Sequence, residues 1–368
     1  MGIHFYVVFG NYLTDKERNT REFNIIITLF IVIFSLTHFI DIYFLITRYV
    51  AIVKSFGGNY NYVGLASWGR LYGVYYDPNY AATMSAVVVI LCIYYFFTSE
   101  KLSIRLMTIV GVIVNLVYIY FSQSRSALLS YQIGIFLCVL LVFLYRKQFK
   151  QSHIILLVCF ALLSSFVFPD TTVKIYNKVY SNENHKEDID QLIDKDVDII
   201  IDDNAEENAN TTEDIIGRKD IGDDISNRRF GIWSSGLELF LRHPIIGVGF
   251  SDIVNVAQQE IPNTYLINNG YKVFHVFHNT IIDVIVSQGV LGISCVLSLV
   301  IYIIIVLFKY IKDSYNIDFL FICVLSSLLC IIVSAMVLSE IYYVNNLCTY
   351  IFWLILGYFL LLIKGEMS

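Results

Sequence analysis

The residues in this sequence best suited to chemistry are a few cations and one histidine, spread over four separate stretches. Arg70 stands shortly before Asp77-Pro78-Asn79, and Arg125 sits inside Ser124-Arg125-Ser126. Arg228 and Arg229 open a run that reaches Trp233, and His278-Asn279 follows further on. A guanidinium is planar, permanently charged and able to bond two phosphate oxygens at once, so arginines converging on one place suit a diphosphate. A neutral histidine beside them suits proton abstraction near pH 7. Each residue also has a plainer reading. Interfacial arginines extend toward lipid headgroups, and Arg229 can pair with the acidic residues just before it. His278 can be a structural interfacial histidine, and Asn279 suits a helix N-cap. Two carboxylates stand near a histidine: Asp41 is three residues after His38 on one helix face, and Asp283 follows His278. Either could orient a histidine or belong to an ion path. Gly247-Val248-Gly249 is not a dinucleotide fingerprint, because Asp252 occupies the third glycine position and no strand precedes it.

The elements that must position these residues are long apolar blocks. The chain has 368 residues, of which 57% are hydrophobic, with a mean hydropathy of +0.65. A soluble domain is nearer half apolar, and about 20 apolar residues cross the ~30 Å hydrocarbon layer as a helix. Eight blocks qualify: Phe23–Ile46, Tyr80–Phe97, Leu102–Phe121, Ala127–Tyr145, Ile154–Pro169, Ile281–Phe308, Ile317–Leu338 and Leu347–Ile363. The fold class is therefore an all-α polytopic membrane protein of about eight transmembrane helices with one large loop. Five helices lie in residues 1–169, the loop is 170–279, and three helices follow in 280–368. Ile281–Phe308 is too long for one straight span, and Gln288-Gly289 divides it into a short surface helix and a span. Ile3–Phe9 is apolar but too short for a signal peptide.

Basic residues fall unevenly between the blocks. Lys16, Arg18 and Arg21, Lys101 and Arg105, Arg146, Lys147 and Lys150, Lys309 and Lys312, and Lys364 lie on one side. The opposite short loops carry Arg48, Lys54, Arg70 and Arg125. The asymmetry places both termini in the cytoplasm and the large loop outside. Arg70, Arg125, Arg229 and His278 then share one outer interface. Within the loop, residues 183–224 are crowded with Asp and Glu, lack aromatics and read as a flexible acidic insert. Asp194, Asp196 and Asp198 alternate like the start of a calcium loop, but Ile199 and Ala205 stand where glycine and glutamate are needed. Asn227–Asn279, with Trp233, Phe240, Phe250, Tyr265 and Phe274, should fold against the membrane surface. All seven cysteines fall inside spans and form no Cys-x-x-Cys, which argues against a disulfide framework or a zinc site. Neither a metal nor another cofactor is expected, and a formal net charge of −6 gives no basis for a nucleic-acid partner.

Taken in order, the motifs resemble the O-antigen ligase and polymerase superfamily, the Wzy polymerases and WaaL-type ligases. Arg70-Leu71-Tyr72-Gly73 leads to Asp77-Pro78-Asn79, and Phe121 to Leu129 is similar to the serine-arginine turn of that superfamily. Arg229 with Trp233, followed by Leu241-Arg242-His243-Pro244-Ile245-Ile246-Gly247-Val248-Gly249-Phe250, is similar to its large outer loop. His278-Asn279 and Gln288-Gly289-Val290-Leu291-Gly292 match the end of that loop and the next span. The resemblance implies a metal-independent, GT-C-like membrane glycosyltransferase using a glycan on undecaprenyl diphosphate. Arg125 and Arg229 would hold the diphosphate, and His278 would be the general base. Arg70 would be a secondary cation, with Arg228, Asn79, Trp233 and Asn279 as further substrate contacts. Donor and acceptor would both be lipid-linked, in the cytoplasmic membrane, with a chain-length regulator as a possible partner. Polymerisation is the first reading, and ligase-type transfer to another acceptor is the alternative. A polysaccharide transporter or flippase is a second alternative, although no internal repeat is visible. The superfamily carries more spans, which implies helices missing at the amino end, and the acidic insert has no counterpart there.

Overall fold

A computed structural model of the chain describes residues 16–54, 60–66, 69–145, 147, 149–168, 171, 174, 229–270, 273–313 and 317–367. The acidic insert, the Asp194–Asp198 run and Arg228 lie outside the described residues. Membrane helices dominate. They are α1 (Lys16–Thr47), α2 (Pro78–Thr98), α3 (Leu102–Phe121), α4 (Arg125–Leu144) and α5 (Gln151–Leu162), which runs on into a π-turn at Leu163–Val167. The long loop carries α6 (Arg229–Arg242) and α7 (Ile253–Glu260), and after it come α8 (Thr280–Asp313), α9 (Phe319–Ala335) and α10 (Leu347–Met367). Five of these helices contain segments long and apolar enough to cross a bilayer, and three shorter apolar helices occupy the remaining blocks read from the sequence.

The hub is α2. Asp77 caps its first turn by accepting from Asn79 N at 2.8 Å, and Pro78 supplies a pre-set φ where no amide partner is needed. From Ala81 to Ile93 every residue is buried, because α3, α4 and α9 pack round this helix. A helix apolar on all sides is stable only when neighbours or lipid cover all sides. Leu29, Ile33, Leu36 and Ile40 on α1, and Leu297, Val300, Ile301 and Ile305 on α8, are exposed apolar faces of the kind that lipid covers. A second apolar cluster lies apart from the bundle. It gathers Ile232 and Leu239 of α6, Ile253 and Ala257 of α7, and Ile261, Leu266, Phe277 and Val286.

Two features depart from a plain bundle. Between α1 and α2 the chain forms a small antiparallel sheet, β1 (Val50–Lys54), β2 (Tyr60–Leu65) and β3 (Leu71–Gly73), in the order β1-β2-β3. The second is a break in α8 at Gly289, whose φ of 64° and ψ of −159° belong to a region open to glycine alone. The broken helix exposes backbone groups that need partners. Val286 O and Ser287 O accept from Val248 N (3.0 Å) and Gly249 N (2.9 Å). On the other side of the break, Val290 N and Leu291 N donate to Pro244 O (2.8 Å) and Ile245 O (3.2 Å). The segment Pro244–Gly249 is thus spliced into the gap. A Cβ on Gly247 would stand 2.5 Å from Gln288 N, so the close approach requires glycine there too. The Gln288-Gly289 division expected from sequence is where the helix changes direction.

Candidate functional site

The sequence-read residues fall at the end of the bundle that carries the sheet. Arg70, just ahead of β3, is only 7% exposed. Its Nε donates to Ser122 O at 2.8 Å and one Nη donates to Asn79 Oδ1 at 2.8 Å. Its guanidinium also lies 5.4 Å from the centre of the Tyr72 ring. Asn79 Nδ2 in turn donates to Asp77 Oδ1 at 2.9 Å. Gln123, in a left-handed backbone (φ 51°), donates from Nε2 to Gly69 O at 3.0 Å. These bonds tie the turn between α3 and α4 to the Arg70 segment. Ser124 then caps α4 and puts Arg125, which is exposed, at its first position. Arg70 thus has neutral oxygens as partners, and among the described residues no Asp or Glu oxygen pairs with it.

Behind the strand lies a buried polar relay. His38 Nδ1 meets Asp41 Oδ2 at 2.7 Å, and His38 Nε2 meets Ser85 Oγ at 2.8 Å. Asp41 Oδ1 accepts from Val74 N at 2.8 Å. Tyr118 stacks on His38 at 4.3 Å between ring centres and donates to Tyr72 O at 3.0 Å. The i, i+3 spacing of His38 and Asp41 therefore gives a direct contact. Its effect is to moor the strand that follows Arg70.

His278 lies where the long loop meets α8, again in a left-handed backbone (φ 51°). Asn279 is the N-cap of α8. Its Oδ1 accepts from Ile281 N (3.0 Å) and Ile282 N (3.1 Å), and its Nδ2 donates to Met336 O (2.7 Å). Trp233 donates from Nε1 to Phe277 O at 2.9 Å. Arg229 is four residues before Trp233 on α6, so both occupy one face of that helix. Asp283 does not orient a histidine ring; its Oδ1 accepts from Phe277 N at 2.9 Å.

The sequence reading missed the segment between α9 and α10. Thr280 Oγ1 donates to Leu338 O (3.3 Å), and Tyr343, itself at φ 66°, stacks on Phe250 with centres 4.4 Å apart. Glu340 within it is fully buried, with the Ser334, Thr83 and Cys348 side chains around its carboxyl. Burial pushes its carboxyl up to about 8, although the Ser334 and Thr83 hydroxyls pull the other way. Neutral Glu340 is therefore the form that suits pH 7. A single Ser-Glu-Ile between two apolar blocks carries no spacing signal, so only the fold reveals this group.

Arg70 is tied to Asn79 and Asp77, and Glu340 feels the Asp77 charge. The Glu340 segment is in turn bonded to Asn279 and Thr280. The Arg70 segment is thus linked, through the segment that carries Glu340, to the start of α8 beside His278. The O-antigen ligase family model matches residues 109–297, more than half of the chain. The chain belongs to the O-antigen ligase family. No curated protein matches it. As a member of that family it is a multi-pass membrane enzyme of glycan transfer, with activity of the O-antigen ligase or polymerase type on lipid-linked glycans. Arg125, Arg229 and His278 lie inside the matched stretch, whereas Arg70, Asn79 and Glu340 lie outside it.

Proposed function

We propose that this O-antigen ligase family member polymerises oligosaccharide repeat units carried on undecaprenyl diphosphate, at the outer face of the cytoplasmic membrane. The observation that carries the reading is Arg70: a buried guanidinium bonded to neutral oxygens, with no carboxylate pairing it among the described residues. A buried charge is costly until an opposite charge meets it, and a lipid-linked diphosphate supplies one. Arg125 and Arg229 take the phosphate oxygens, with Arg70 and Arg228 as secondary cations. Trp233, Asn79 and Asn279 line the site while their polar atoms brace it.

The chemistry asks little more. An acceptor sugar hydroxyl attacks the anomeric carbon, the bond from that carbon to the diphosphate oxygen breaks, and the hydroxyl proton passes to His278. Undecaprenyl diphosphate leaves with the electron pair. Charge grows on the diphosphate as the bond breaks, and the arginines stabilise it most at that point. Holding both sugars in line adds the benefit of proximity. Attack opposite the leaving group inverts the anomeric centre. This scheme needs no metal, so turnover should persist in EDTA. Transfer to a different acceptor, as in a ligase, uses the same machinery. The experiment that separates the two is glycan analysis of a deletion strain. Surface glycans reduced to single repeat units support polymerisation. Full-length chains accumulating on undecaprenyl diphosphate contradict it and favour the ligase.

A further inference from the structure

The backbone that presents His278 is held on both sides. The preceding residue, Phe277, is completely buried. Its N–H donates to Asp283 Oδ1 and its carbonyl accepts from Trp233 Nε1, both at 2.9 Å. Its ring fills space over α6, where a Cβ on Gly236 would stand 2.8 Å from Phe277 Cδ1. The following residue, Asn279, is fixed as the α8 N-cap and bonded to Met336 O. Between these fixed points His278 takes a left-handed φ of 51°. For a residue other than glycine that conformation is uncommon and persists only where the surroundings over-determine it. The Phe277 carbonyl belongs to the same peptide plane as the His278 amide, so Trp233 sets that plane directly. Asp283 lies one turn into α8 and reaches back to the peptide before it. The carboxyl is 1% exposed and lies beside the Ser339 hydroxyl, so water is not at hand to replace the bond it makes to the Phe277 amide.

We infer that Asp283, together with Trp233, is a positioning residue for His278: the two side chains grip the Phe277 backbone and hold the histidine in its strained posture against the acceptor hydroxyl. The inference rests on the reading of His278 as the base. Loss of the grip lets the segment relax, and a misplacement of about 1 Å at a reacting group costs on the order of a hundredfold in rate.

The test is a double-mutant cycle on purified, level-matched protein, with an undecaprenyl-diphosphate-linked repeat unit as the probe. Asp283→Ala should lower kcat about tenfold to a hundredfold and leave KM for the donor nearly unchanged. Asp283→Asn keeps the acceptor oxygen and should restore most of the turnover. In a His278→Ala background, Asp283→Ala should cost nothing further, because the grip acts only through the histidine. If Asp283→Ala does not accumulate, Trp233→Phe removes the indole N–H together with the five-membered ring, and it should lower kcat in the wild-type background but cost no further kcat in the His278→Ala background. An equal further loss in the His278→Ala background, or no rescue by Asp283→Asn in folded protein, overturns the positioning role and leaves the base intact. Near wild-type turnover in His278→Ala overturns the base, and the positioning role with it.

Discussion

Replacing Gly289 with alanine should damage the protein in two separable ways. The backbone at φ 64°, ψ −159° is open to glycine and strained for any L side chain, at about 1–3 kcal/mol. A Cβ there would also press on the Ile245 carbonyl and stand 2.7 Å from Gly247 N. That contact forces apart the bonds from Val290 N to Pro244 O and from Leu291 N to Ile245 O, at about 0.5–1.5 kcal/mol each. The total is about 2–6 kcal/mol. Gly249 is the control. Its φ is 78°, but a Cβ there meets nothing within 4 Å, so Gly249→Ala carries only the conformational cost. Unfolding of both variants in detergent, followed by denaturant midpoint, should rank Gly289→Ala well below Gly249→Ala, and Gly249→Ala below wild type. Since the first turns of α8 also carry Asp283 and the Asn279 cap, Gly289→Ala should lose turnover in what remains folded. Equal stability of the two variants would refute the splice as the reason for glycine at 289.

Arg125→Lys and Arg229→Lys keep the charge but lose the two-pronged geometry, so each should lower polymer formation strongly in a level-matched assay. Glu340 makes stability depend on pH. The folded protein keeps its proton up to about 8, where an unfolded glutamate has already lost it. Stability should therefore fall as pH rises from about 4.5 toward 8 and then level off, and Glu340→Gln should flatten that slope. In a cysteine-free background, a cysteine at position 210 should react with an impermeant reagent on intact cells, after outer-membrane permeabilisation in a diderm. Labelling only after the cytoplasmic membrane is breached would reverse the orientation.

Different parts of this account were legible in the sequence to different degrees, for physical reasons. Apolar blocks are legible because a bilayer demands length, and all eight reappear as apolar helices. The break in α8 was legible because a single span cannot use so many apolar residues, and Gly289 marked where the backbone could turn. Asn279 as a cap and His38 with Asp41 as neighbours follow from local spacing, and both are present. The small sheet was not legible. Val50–Lys54 and Tyr60–Leu65 pair locally, Lys54 with Tyr60, but they are short and strand propensity is set by context more than by the residues themselves. Asp283 was read as a group that could orient a histidine, yet it bonds the backbone of Phe277. Spacing alone does not separate a ring nitrogen from an amide a residue away. Glu340 gave no signal, because its burial depends on how the segment between α9 and α10 closes over α2 and α8.

The most direct test is elongation by the purified protein in a bilayer mimic, supplied only with undecaprenyl-diphosphate-linked repeat units and resolved by chain length. The account predicts a ladder of lengthening glycans still attached to undecaprenyl diphosphate. It also predicts a turnover about 10²–10⁴-fold lower for His278→Ala, with donor binding nearly intact. Repeat units left unextended by active, folded protein, yet transferred when a different acceptor is added, would contradict it.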